Sequence, residues 1–97
     1  MKFQSLEDAI PRGYAKARHA PALDDKLVGE QILFQWTGTG WQLGFVTAHY
    51  QRAKGAKKFN YELGFGADAG ELHDTRLLVD SYGKDQPAGW FLLTKRR

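Results

Sequence analysis

Few residues of this chain could carry out acid–base, metal or covalent chemistry. The histidines His19, His49 and His73 show no metal-ligand spacing, and the absence of cysteine excludes thiolate metal sites and a cysteine nucleophile. Asp74 directly follows His73, but neighbouring residues on a strand point to opposite faces, so the two cannot act as an orienting pair. We therefore predict that the protein is not an enzyme and holds neither a cofactor nor a metal.

The best candidate for a binding site is the turn between Trp36 and Trp41, whose sequence is Trp-Thr-Gly-Thr-Gly-Trp. Apolar and aromatic residues lead into this turn and out of it, and a short glycine-containing loop between two such runs predicts a β-hairpin. Large aromatics beside a tight turn favour an aromatic binding surface at one end of a small β-barrel. The alternative is that these rings only cover the open end of the barrel, because small domains need large buried residues.

A second candidate is the basic segment 51–58, which lies between the second and third predicted strands. Its cations and the ring that precedes them are Tyr50, Arg52, Lys54, Lys57 and Lys58. Clustered cations contact phosphates, and a nearby ring can stack on a base. The segment therefore predicts weak, sequence-independent binding to DNA or RNA. The alternative is a hairpin loop whose lysines only keep the protein in solution.

Five short strands are predicted to position these two candidates. Their ranges are 27–36, 41–50, 57–65, 71–79 and 90–94, with a helical turn as an alternative at the end of the fourth. In the third strand Phe59, Tyr61, Leu63 and Phe65 alternate with polar or small residues, which indicates burial on one side. Many short strands separated by turns, without a long helix, favour a small all-β barrel.

The predicted domain boundaries follow from these strands. We divide the chain into an N-terminal arm or linker over 1–26, a barrel over 27–94 and a basic tail over 95–97. Any helix in the arm must be short, because Pro11 cannot lie in a helix interior. We expect the arm to be loosely ordered, as chain termini often are. The alternative is that it docks on the domain through Phe3, Leu6, Ile10 or Tyr14.

Several runs of the sequence, taken together, resemble one family. They are Val28–Gly29, Leu33–Trp36, Trp41–Val46, Tyr61–Gly66, Gly70–Leu77 and Trp90–Leu93. In this order they are similar to the strands of a Tudor-like domain of the SH3-like barrel class, and the resemblance covers roughly residues 27–93. It implies a five-stranded SH3-like barrel, with Trp90–Leu93 as the closing strand.

The resemblance also implies a function, namely recognition of a methylated lysine or arginine by an aromatic cage. Ring faces attract a desolvated alkylammonium, with about 0.5–2 kcal/mol for each good contact. Carried over by position, the cage residues are Trp36, Phe65, either Trp41 or Gln42, and an acidic or amide residue near Ala67 or Asp68. The expected ligand is then a peptide such as a methylated histone tail, and the alternative is a nucleic-acid-binding accessory domain.

Size and charge set the remaining expectations. A chain of 97 residues holds one domain, and 42% hydrophobic residues are enough for a packed core. The net charge of +3 permits an anionic partner without requiring one. No apolar run approaches the ~18 residues of a membrane span, and Glu7 and Asp8 interrupt any signal peptide. We expect an intracellular protein with no membrane partner, and a chromatin reader would lie in the nucleus.

Overall fold

Six antiparallel strands form one sheet in the computed structural model, which describes residues 6–66 and 70–95. The strands are β1 (Tyr14–Lys16), β2 (Gln31–Trp36), β3 (Gly40–Lys54), β4 (Phe59–Phe65), β5 (Glu71–Thr75) and β6 (Trp90–Lys95). Their order across the sheet is β1-β6-β2-β3-β4-β5. The other described elements are the four-residue helix α1 (Leu6–Ala9) and the 3-10 turns Asp25–Leu27 and Val79–Ser81. None of the described helices is long and apolar enough to cross a membrane.

The all-β class is confirmed, but the closed five-stranded barrel is wrong in two respects. A sixth strand, β1, lies inside the segment that was expected to be an arm. The edges of the sheet are β1 and β5, and within the described residues no pairing between these two strands closes the sheet. The sequence pattern missed β1 because three residues are too few to show a period of two.

The β2–β3 hairpin is confirmed, whereas several strand boundaries differ from the prediction. β2 begins at Gln31 rather than at residue 27, because residues 25–27 form a 3-10 turn that Asp24 caps by accepting a hydrogen bond from the Lys26 amide. β3 continues to Lys54, so the basic segment is partly strand. β5 ends at Thr75 rather than at residue 79, and a 3-10 turn at Val79–Ser81 shares only Val79 with the helical turn considered at residues 77–79.

The main core lies on one side of the sheet, called here the inner face. Its fully buried side chains include Ile32, Leu63, Leu77 and Trp90. The predicted alternation in β4 is confirmed at Tyr61, Leu63 and Phe65, which are buried in this core, whereas Phe59 is only half-buried and lies outside the core cluster. The inner face thus places the end of β4 beside the end of β2 and the start of β5.

The start of the described N-terminal segment, residues 6–14, packs against the opposite side of the sheet, called here the outer face. Ala9 is buried with Leu33, Trp41 and Leu93, and the half-buried residues Leu6, Ile10 and Tyr14 pack against this group. The Tyr82 hydroxyl also donates to the Ala17 carbonyl at 2.7 Å. A helix of four residues and a strand of three are too short to persist alone, so these contacts order them. Phe3, the other docking candidate, lies outside the described residues.

Candidate functional site

An open cleft of about 330 Å³ lies at the end of the inner face beside the β2–β3 hairpin. It is lined by Trp36, Thr39, Gln42, Phe65, Glu71 and His73. The strand register brings these side chains together, because residues that pair directly across antiparallel strands share a face. Phe65 pairs with Glu71, and the neighbouring pair is Leu63 with His73. The cleft therefore draws its walls from four strands and one turn.

Three rings form the apolar walls of the cleft. The Trp36 ring centroid lies 5.4 Å from that of Phe65 and 5.2 Å from that of His73, and the Phe65 and His73 centroids are 5.9 Å apart. The interplanar angles of these three pairs are 65°, 57° and 64°. The rings are therefore steeply inclined to one another rather than stacked.

Gly44 determines how closely the Phe65 ring approaches the sheet. A β-carbon at Gly44 would lie 2.7 Å from Cε1 of Phe65 and 2.8 Å from the carbonyl oxygen of Gly64. The Phe65 ring therefore rests on the β3 backbone, where only a glycine leaves room for it. This contact holds Phe65 at the back of the cleft, where it is only 6% exposed.

Trp36 links the cleft to the core. Its ring is half-buried, packs against the core cluster and lies with its centroid 4.7 Å from that of Phe34. The polar part of the lining comes from Glu71, which is exposed and carries the negative charge, and from the half-buried amide of Gln42. The cleft thus combines apolar ring surfaces with one carboxylate at its rim.

The structure brings together three of the residues proposed for the aromatic site. Trp36, Gln42 and Phe65 all line the cleft. Trp41 lies elsewhere, because it pairs with Gln35 and therefore points to the outer face, where it is 4% exposed. Asp68 lies outside the described residues.

Three cleft residues, Thr39, Glu71 and His73, were not proposed from the sequence. Glu71 and His73 alternate with outward-pointing residues on β5, and Thr75, which continues the series, is buried. The sequence showed no sign of this, because the run Glu-Leu-His-Asp-Thr does not alternate between apolar and polar residues and its apolar member, Leu72, points outward. Once Glu71 is paired with Phe65, both side chains must face the cleft.

The basic segment lies at the tip of the β3–β4 hairpin, and residues 51–58 are all exposed. The Lys54 ammonium forms an ion pair with Asp74 at 3.0 Å and lies over the Tyr50 ring, 5.0 Å from its centroid. The Tyr50 hydroxyl donates to the same carboxylate. Hydrogen bonds from Tyr50 and Lys54 lower the pKa of Asp74, and the bond to Asp74 raises the pKa of Tyr50. Tyr50 and Lys54 are therefore engaged within the protein.

Among the described contacts, the remaining cations proposed to bind nucleic acid form no ion pair and lie over no aromatic ring. Arg52, Lys57 and Lys58 lie at the exposed end of the hairpin. Gly55, with a φ of 73°, and Lys58, with a φ of 59°, form the left-handed positions of the tight turn. The hairpin thus presents three cations, rather than four cations and a free ring.

His49 lies outside the cleft and contacts two other side chains. Its Nδ1 contacts the Asp25 carboxylate, and its ring stacks on Tyr61 with centroids 4.7 Å apart. The Tyr61 hydroxyl donates to the Asp24 carbonyl at 2.9 Å, and burial raises the pKa of Tyr61 to about 12. Across residues 6–66 and 70–95, no group of three or more histidine or carboxylate side chains could hold a metal ion.

Among protein-family models, curated proteins and solved structures, none matches this chain significantly. Function is therefore inferred from the cleft and the basic hairpin themselves.

Proposed function

We propose that this domain is a non-catalytic recognition module of the Tudor-like, SH3-like class. It binds a peptide through a methylated lysine or arginine side chain in the cleft. The observation that carries the proposal is the meeting of three rings, those of Trp36, Phe65 and His73, beside the carboxylate of Glu71. The family assignment is supported by the pairing of β6, the counterpart of the closing strand, with β2.

The ring geometry suits a cation of this kind. The three ring centroids lie only 5.2–5.9 Å apart, so a single cation in the cleft that the rings line can contact more than one of them. Such contacts act when the cation lies within ~6 Å of a ring centroid. Methylation removes the hydrogen-bond donors of an ammonium group, so ring faces compete better with water for it.

The expected strength of binding is modest. Three ring contacts of about 1 kcal/mol each supply about 3 kcal/mol, which corresponds to a Kd of roughly several millimolar for the side chain alone. Glu71 adds attraction for the positive charge, but its exposure weakens that attraction. Flanking residues of the peptide must therefore supply further contacts with the surface around the cleft.

The test compares a peptide containing trimethyllysine with the same peptide containing unmodified lysine. We expect the methylated peptide to bind at least tenfold more tightly, as measured by NMR chemical-shift titration of the cleft residues. Trp36→Ala removes one wall and should weaken binding of the methylated peptide by about fivefold while the domain stays folded, because the ring is only half-buried.

Leu72→Ala is the matched control for this experiment. Leu72 lies next to His73 but points to the other face, and its side chain is 54% exposed. The control should bind both peptides as the unaltered protein does. Equal affinities for the two peptides, or a Trp36→Ala variant that binds normally while folded, would rule out the cleft as a methyl-cation site.

Nucleic-acid binding by the basic hairpin is the second candidate, and the exposure of its whole tip favours it. Changing Arg52, Lys57 and Lys58 together to Gln should weaken binding of a labelled oligonucleotide at low salt. The log–log salt slope should also fall by about 0.7–0.9 for each lost phosphate contact. Lys54→Gln is the control and should have a smaller effect, since Lys54 is paired with Asp74. Equal affinities of the triple variant and the unaltered protein would leave the hairpin as a solvated turn.

A further inference from the structure

We propose that His73 makes ligand binding in the cleft dependent on pH. The cleft accepts a methylated cation while the His73 imidazole is neutral and rejects the same cation once the imidazole is protonated. This inference rests on the proposed function of the cleft, and it adds a condition under which that function is switched off.

The position of His73 allows its protonation to affect ligand binding in the cleft. It stands on β5, an edge strand of the sheet, and its ring contacts both other aromatic walls, Trp36 at 5.2 Å and Phe65 at 5.9 Å between centroids. The side chain is exposed, so protons reach it from solvent without any opening of the domain. A cation held between the three rings would be about as close to His73 as to the other two walls.

Protonation gives the His73 wall of the cleft a positive charge. A neutral imidazole adds an aromatic ring to the cleft, whereas an imidazolium places a positive charge about 6 Å from the bound cation. At that distance and an effective dielectric constant of about 40, the repulsion weakens binding about tenfold. The effect needs no movement of the backbone.

The groups that face His73 strengthen this response. From β2 and β4 it faces the uncharged rings of Trp36 and Phe65, and from β3 the neutral amide of Gln42. Among the described residues, Glu71 on β5 is the carboxylate that shares the cleft with it. A protonated His73 would compete with the ligand for Glu71, so both effects act against binding.

The experiment measures binding of a trimethyllysine peptide at about pH 8 and about pH 5, the window in which histidine side chains commonly change charge. The quaternary ammonium keeps its charge across this range, so any change in affinity comes from the protein. We expect the unaltered protein to bind about tenfold more weakly at the lower pH. His73→Phe keeps a ring without a titrating nitrogen, and its affinities at the two pH values should agree within about twofold.

Two further variants separate the outcomes. His49→Gln alters a histidine that does not line the cleft, and it should keep the tenfold pH dependence. His73→Gln supplies a neutral side chain without a ring, and it should bind more weakly but equally at both pH values. Circular dichroism at pH 5 and pH 8 confirms that each variant remains folded.

Failure of this inference differs from failure of the proposed function. No binding at pH 8 would overturn both. Binding at pH 8 that changes less than threefold at pH 5, or a pH dependence that persists in His73→Phe, would overturn the role of His73 alone.

Discussion

Replacing Trp90 with alanine should lower the free energy of unfolding by about 3–5 kcal/mol, the usual scale for deleting a large buried aromatic. The Trp90 side chain is fully buried on β6, and its ring meets that of Tyr82 at 86° with centroids 4.8 Å apart. Its indole nitrogen donates to the Leu78 carbonyl at 2.8 Å, which fixes the chain just before the second 3-10 turn. A loss of this size is a large fraction of the ~5–15 kcal/mol that stabilises an ordinary domain.

Urea denaturation followed by circular dichroism measures this loss. Trp90→Phe keeps an apolar ring but removes the N–H group, so its loss should fall between those of the alanine variant and the unaltered protein. Leu72→Ala, at an exposed site, should change the midpoint little. If Trp90→Ala cost less than about 1 kcal/mol, Trp90 would not be the centre of the inner core.

The sequence was most informative where one face of a strand is buried. The alternation through Tyr61, Leu63 and Phe65 predicted β4, because each core-facing residue must be apolar while its neighbours are free to vary. The hairpin after Trp36 was also predictable, since its glycines and flanking aromatics define a turn between two strands. Local pattern and tertiary packing favour the same structure at both places.

The sequence could not determine which aromatics share a face. Trp36 and Trp41 both flank the turn, but Trp36 pairs with Gly40 and Trp41 pairs with Gln35, so they point to opposite faces. A shift of β3 by one residue in this register would place both tryptophans on the same face, and turn geometry, rather than composition, sets the register. Gln42 therefore reaches the cleft, while Trp41 is buried beneath the N-terminal segment.

The N-terminal segment shows a second limit. Its helix and strand are so short that local preference does not specify them, and they form because the outer face offers Leu33, Trp41 and Leu93 for them to cover. The contact of His73 on β5 with Trp36 on β2 is likewise non-local, which is why Glu71 and His73 were not recognised as cleft residues. In both cases the deciding contact is made by residues far apart in sequence.

Replacing Gly44 with alanine should damage both the fold and the cleft. The new methyl group would lie 2.7 Å from Cε1 of Phe65 and 2.8 Å from the Gly64 carbonyl oxygen, closer than real β-carbons approach other atoms. The Phe65 ring can turn aside, but the Gly64 carbonyl belongs to the strand that pairs with β3. We expect a loss of about 1–3 kcal/mol in the free energy of unfolding, the range for overpacked sites. We also expect weaker binding of a trimethyllysine peptide, because Phe65 leaves its place in the wall.

Gly70→Ala is the matched control, since a β-carbon there meets nothing within 4 Å and the residue is exposed. Combining Gly44→Ala with Phe65→Leu distinguishes the two clashes through a double-mutant cycle. If the clash with the ring dominates, the smaller leucine relieves it. The double variant then loses less unfolding free energy than the two single variants lose in total. If the Gly64 carbonyl dominates, the losses add, because the backbone contact remains whichever side chain occupies position 65. Normal stability and normal peptide binding in Gly44→Ala would show that the cleft does not depend on the close contact of Phe65 with β3.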